Sequence, residues 1–118
     1  MKTEIVTLAG VDVELRQPTS VAARWDAYGA VAQNPARGFA AALGLCWAGP
    51  NRPKPRYASH KYDPLSYGGA VLDDLASRGI SIAEINGAGL VAWKLCGDGL
   101  LSAQEVAEAE DFSSGEEG

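Results

Sequence analysis

His60 is the only histidine in this 118-residue sequence, and it stands in a polar, basic stretch. Beside Cys46 it would offer a thiol–imidazole nucleophile. Cys46, however, shares an apolar helix face with Leu43 and Trp47, where a thiol is inert filling more often than nucleophile. Metal ligation lacks its usual spacings, with no Cys-x-x-Cys and no histidine pair. Asp73 and Asp74 are adjacent, so on a helix they diverge by about 100° and do not share a cation. The carboxylates from Glu105 to Asp111 lack the spacing of a calcium loop. Gly87-Ala-Gly89-Leu-Val-Ala92 matches G-x-G-x-x-A, the fingerprint of a dinucleotide-binding turn. Its context is missing: too little chain follows for a second βαβ half, and Ser81 with Glu84 marks a helix start where a strand is needed. Titratable side chains are thus scattered, and the sequence predicts no enzyme, no catalytic residue, no metal and no cofactor.

Residues 48–62 hold the second candidate chemistry. Pro50, Pro53 and Pro55 alternate with Asn51, Arg52, Lys54 and Arg56. Proline removes backbone donors, so an exposed, semi-extended loop is expected. The plainest reading is a surface connector. Pro50-Asn-Arg-Pro53 is also a bare P-x-x-P ligand pattern. Basic residues interleaved with Trp47, Tyr57 and Tyr62 would suit a single-stranded nucleic acid. The net charge of −5 argues against bulk nucleic-acid binding. Charge is also segregated. No acidic residue lies between Asp26 and Asp63, and no basic residue follows Lys94. The middle is basic and the end acidic.

The elements that would position these residues follow from local pattern. Residues 3–8 and 11–17 are rich in Val, Ile, Thr and Leu, with Val11, Val13 and Leu15 alternating against Asp12, Glu14 and Arg16. Ala9-Gly10 between them predicts a β-hairpin over 3–17. Pro18 ends it, and Thr19 or Ser20 caps a helix whose Val21, Trp25, Tyr28 and Ala32 recur at helical spacing. Asn34-Pro35 breaks that helix, and a second runs to Trp47 with Phe39, Leu43, Cys46 and Trp47 on its face. Asp63-Pro64 opens a third, with Leu65, Leu72 and Leu75 buried, that ends near Arg78-Gly79. Ser81-Ile-Ala-Glu84 is a capping box for a fourth. Gly87 and Gly89 inside it mean either a break or a closely packed backbone. Ser102-Ala-Gln-Glu105 is a second capping box for a short helix to about Asp111. Residues 113–118 have nothing to bury and read as a flexible acidic tail. The prediction is a mainly α domain over residues 1–112, a small helical fold of four to five helices with an N-terminal β-hairpin.

At this length one domain buries a core without staples. Cys46 and Cys96 allow one disulfide arithmetically, but nothing else suggests export. Residues 1–20 lack the apolar centre of a signal peptide, and no run spans a bilayer. Two buried thiols in a reducing cytoplasm are expected, with no membrane association. Trp25, Tyr28, Phe39, Trp47 and Trp93 are first of all core. Three tryptophans are more than a domain of this size usually buries, and Trp and Tyr are favoured at interface hot spots. The predicted partner-binding set is therefore Trp25, Tyr28, Phe39, Leu43 and Trp47, together with Arg52, Lys54 and Arg56 of the loop.

The ordering of the whole chain carries a further signal. A short hairpin leads into a Trp-bearing helix. NPARGFAAALGLCW (34–47), a proline-rich loop, YDPLSYGGAVLDDLASRGISIAEI (62–85) and an acidic LSAQEVAEAEDFSSGEEG (101–118) follow. This layout resembles the phage and prophage tail assembly chaperones, small helical proteins encoded between tail tube and tape measure genes. The resemblance is one of layout and rests on no invariant motif. It implies a host-cytoplasmic chaperone that binds the tape measure protein, the tail tube protein or both, with homo-oligomers compatible. The groove would come from helices at 20–33, 35–47 and 64–78. A small virion subunit at the head–tail connector fits much of the same layout. A nucleic-acid module built on the basic loop is the third reading.

Overall fold

In the computed structural model, which describes residues 2–58, 61 and 63–100, an antiparallel hairpin opens the chain. It pairs β1 (Thr3–Leu8) with β2 (Val11–Arg16). Ala9 (φ 51°) and Gly10 (φ 80°) both take positive φ. That is the type I′ geometry whose twist matches the flanking strands. The register places Val6 opposite Val13 and Leu8 opposite Val11 on one face, with Ile5 opposite Glu14 and Thr7 opposite Asp12 on the other. The first face rests on helices, burying Leu8, Val13 and Leu15. The predicted alternation therefore holds, except that Val11 at the turn end stays uncovered.

Four helices follow among the described residues: α1 (Val21–Gln33), α2 (Pro35–Cys46), α3 (Pro64–Ser77) and α4 (Ile82–Gly97). Each starts where a side chain satisfies an otherwise unpaired amide of the first turn. Ser20 accepts from Ala23 N–H, Asn34 from Arg37, Asp63 from Ser66, and Ser81 from Glu84 with the reciprocal half of the capping box present. Gly79 (φ 83°) follows α3 and ends it. The fold is thus mainly α with an N-terminal hairpin, as the sequence predicts. The short helix expected at 102–111 and the tail at 113–118 lie outside the described residues. No helix among the described residues is long and apolar enough to cross a membrane.

α2 is the centre of the packing, in contact with α1, α3 and α4. It is buried on more sides than one stripe requires: Gly38, the run Ala40 to Gly44 and Cys46 are all covered. Small side chains make this arrangement fit. A Cβ added at Gly89 of α4 would lie 2.6 Å from Phe39 Cβ and 2.7 Å from Phe39 O. α4 therefore runs unbroken through its glycines, and the close-packing alternative is the one realised at Gly89.

Two expectations are corrected. The buried side of α1 is Ala23, Ala27 and Ala30, not Val21, Trp25, Tyr28 and Ala32. α1 presses on α2 so closely that a Cβ at Gly38 would meet Val31 N at 2.5 Å. Such an approach sets the alanine stripe against α2, leaving Val21 exposed and Trp25 43% exposed, with Tyr28 half-buried toward α4.

The proline loop is likewise no free connector. Trp47 bridges to Leu15, and Ala48 N–H donates to Glu14 O at 3.0 Å, extending the edge of β2. Pro53 is fully buried. Trp47 Nε1–H donates to Pro50 O (2.9 Å), Arg52 Nη2 to Gly44 O (3.3 Å) and Arg78 Nη1 to Asn51 O (2.6 Å). Tyr57 O–H donates to Asp26 Oδ2 at 2.6 Å. Prolines remove donors and leave acceptors, and here Trp47 and the distant Arg78 supply donors to loop carbonyls, while Arg52 and Tyr57 of the loop donate outward to α2 and α1.

Candidate protein-binding cleft

The strap made by residues 47–58 follows β2 only briefly. After Ala48 pairs with Glu14, the chain turns away through Gly49 and Pro50. A cleft of about 820 Å³ opens between the turn end of the hairpin, this strap and the C-terminal end of α3. Its floor is apolar and buried: Leu8, Val13, Trp47 and Ile80. Its lip carries two large aliphatic side chains left in solvent, Ile5 at 63% and Val11 at 60% exposure.

Charged groups ring the lip. Arg52 and Lys54 come from the strap, Asp12 and Glu14 from β2, and Asp74 and Arg78 from α3 and its cap. The carboxylates are individually engaged. Asp12 accepts from Thr7 Oγ1 at 2.8 Å, Glu14 faces Arg16 at 3.2 Å, and Asp74 pairs with Arg78 at 2.6 Å. Arg52 Nε is buried with no hydrogen-bond partner among the described residues. Among the described residues the lining holds no serine, threonine, cysteine or histidine. A surface of this kind is suited to covering apolar area, with charges of both signs at its rim.

The predicted partner-binding residues divide between places. Trp47, Arg52 and Lys54 line the cleft, although Trp47 contributes only as buried floor. Arg56 is exposed on the strap but outside the lining. Trp25, Tyr28 and Phe39 gather elsewhere around Trp93. Tyr28 stacks on Trp93 with ring centroids 4.8 Å apart, while Trp25 and Phe39 make edge contacts at 6.3 Å to Tyr28 and 6.2 Å to Trp93. Trp93 Nε1–H donates to Tyr28 O at 3.1 Å, so this row fastens α1 to α4. Leu43 must be withdrawn as a contact residue: it is 0% exposed, because the helices packed around α2 enclose the face that would have lined a groove.

Ile5, Val11 and Ile80 were not singled out from the sequence. One local signal existed. With the turn at Ala9-Gly10, Ile5 falls on the polar phase of β1, opposite to Val6 and Leu8.

The other chemical candidates also have their places. Cys46 and Cys96 are free and buried, as expected, with Sγ atoms 3.7 Å apart. The hydrogen bond with Cys96, reinforced by burial, pushes the Cys46 thiol up. His60 lies outside the described residues. Among the described residues no group of three or more His, Cys, Asp or Glu is placed to hold a metal ion. No family model, no curated protein and no solved structure matches the chain.

Proposed function

We propose that this chain is a protein-binding domain whose cleft covers an apolar helical stripe of a partner, and that it serves as a tail assembly chaperone for a phage tape measure protein. The observation that carries the first half is the cleft itself: a buried apolar floor, two exposed aliphatic side chains at the lip and charges of both signs around them. An amphipathic helix seats only its apolar face in such an open cleft and leaves its polar face in solvent. The occupant is then read as helix-in-groove recognition.

The second half rests on the resemblance in chain layout. A tape measure protein is a long helix-rich chain whose apolar stripes aggregate unless covered before tube subunits close around it. A small domain with an open apolar cleft meets that need. The nucleic-acid reading is weakened by the strap, since Arg52 spends a donor on the Gly44 carbonyl and Arg78 is held by Asp74 and the Asn51 carbonyl.

Co-expression with helical segments of the tape measure protein encoded beside its gene tests the proposal. Co-elution of a soluble complex, lost on Val11→Asp, supports it. A tape measure segment that precipitates unchanged in its presence contradicts it. Mass spectrometry of finished particles separates a chaperone, which should be absent, from a virion subunit, which should be present.

A further inference from the structure

Among the described residues, the outer edge of β1 is a strand edge without a neighbour. In the hairpin register, Leu8 and Val11 flank a two-residue turn, and Gln17 N–H donates to Lys2 O at 3.0 Å. In an antiparallel ladder these fix which pairs exchange hydrogen bonds. Lys2, Glu4, Val6 and Leu8 bond inward to β2. Thr3, Ile5 and Thr7 therefore aim their N–H and C=O groups away from it. No hydrogen bond reaches those groups among the described residues. β1 touches only β2 and α4 among the elements, and Thr3, Glu4, Ile5 and Thr7 are all exposed.

Natural edges are usually blunted by proline, a bulge or an inward charge. This edge has no proline and no bulge; its one charge on the core-facing phase is Glu4, opposite Leu15 and left in solvent, and its other residues favour strands, with Thr at 3 and 7, Ile at 5 and Val at 6. The outward-bonding residues are symmetric about Ile5, since Thr3 and Thr7 are identical, whereas Glu4 and Val6 between them are unlike.

We propose that β1 pairs antiparallel with β1 of a second copy, joining two hairpins into one four-stranded sheet centred on Ile5. A two-fold axis through that residue sets Ile5 against its own copy, Thr3 against Thr7 and Glu4 against Val6. Each outward residue then exchanges both main-chain bonds with its opposite. No like charges face one another, and the two exposed Ile5 side chains cover each other. A foreign strand gains the same main-chain bonds but not this matched register. The symmetry is what selects a second copy as occupant. So short an edge buries well under the ~1,200 Å² of a standard stable interface, so the dimer is concentration-dependent. The pairing covers Ile5, which also stands on the lip of the cleft, so dimer formation and cleft occupancy share that side chain.

Light scattering and amide hydrogen exchange on the full chain, from low micromolar to millimolar, test it. Molar mass should rise toward twice that of the chain. Exchange at Thr3, Ile5 and Thr7 should slow at least tenfold as it does, while Glu4, Val6 and Leu8 stay protected throughout. Ile5→Pro removes an N–H that the hairpin ladder does not use, so the hairpin tolerates it; the variant should remain monomeric. If it does not fold, Ile5→Lys sets like charges across the axis and should also abolish association. A wild-type monomer at every concentration overturns the proposal. So does an Ile5→Pro or Ile5→Lys variant that associates like wild type. Edge amides protected equally at the lowest concentration also overturn it, because the chain's own residues would then fill the edge.

Discussion

Cys46 Sγ lies 3.7 Å from Cys96 Sγ, a contact that joins the end of α2 to the end of α4 inside the core. Cys46 Sγ also approaches the Ala92 carbonyl at 3.5 Å. Both thiols are buried, so alkylating reagents should label neither in the native state and both on unfolding. Mass spectrometry of the intact protein reads this directly.

The raised Cys46 thiol has a pH consequence with a definite sign. Its folded-state pKa lies above the unfolded value of about 8.5. Below that value both states hold the proton and the stabilisation is fully present. As pH rises past it the unfolded chain loses the proton first, and stability falls by up to ~1.4 kcal/mol per pH unit. Tyr57, pushed up by burial and by its bond to Asp26, acts in the same direction at higher pH. Urea midpoints should hold steady to about pH 8 and then decline. The Cys46→Ala variant should show a shallower decline.

The glycines of α4 predict opposite outcomes two residues apart. At Gly87 an added methyl meets nothing within 4 Å, so Gly87→Ala should stabilise by up to about 1 kcal/mol through helix propensity. At Gly89 the same methyl sits 2.7 Å from Phe39 O. Gly89→Ala should cost roughly 1–3 kcal/mol as α2 and α4 are forced apart. Thermal melts of the two variants provide the comparison.

Arg24 is a positioning residue of the fold. Its Nε donates to Cys96 O at 3.0 Å and its Nη2 to Asp98 O, while Gln17 Nε2 donates to Leu95 O at 2.9 Å. Together they satisfy carbonyls that the last turn of α4 leaves unpaired. Arg24→Ala should destabilise by about 1–3 kcal/mol. In native-state hydrogen exchange the loss should appear first in the last turn of α4.

At the cleft, Val11→Asp changes an exposed side chain and should leave the melting temperature nearly unchanged. It should nevertheless weaken partner binding at least tenfold, about 1.4 kcal/mol. Trp25→Ala, on the aromatic row away from the cleft, should leave partner affinity within a factor of about two. Calorimetric titration with one helical partner segment distinguishes the sites.

The local grammar of the fold was legible in the sequence. Asn34-Pro35, Asp63-Pro64 and the Ser81–Glu84 box each define a helix start within four residues of chain, and the structure honours all of them. What depends on distance was not. α1 carries both an aromatic and an alanine stripe, and which of them meets α2 depends on inter-helix packing such as the close approach of Gly38 to Val31. The proline loop looks free until Arg78, far along the chain, reaches the Asn51 carbonyl. The cleft was hidden for the same reason. Its aliphatic lip belongs to the hairpin and its Ile80 floor to the α3–α4 connection, and no window of sequence holds both.

The central claim is most directly tested by titrating isotope-labelled protein with a helical tape measure segment and mapping which amide and indole resonances move. The account predicts perturbations at Ile5, Val11, Arg52, Ile80 and the Trp47 indole. Perturbations confined to the Trp25–Tyr28–Trp93 row, or none at saturating segment, would contradict it.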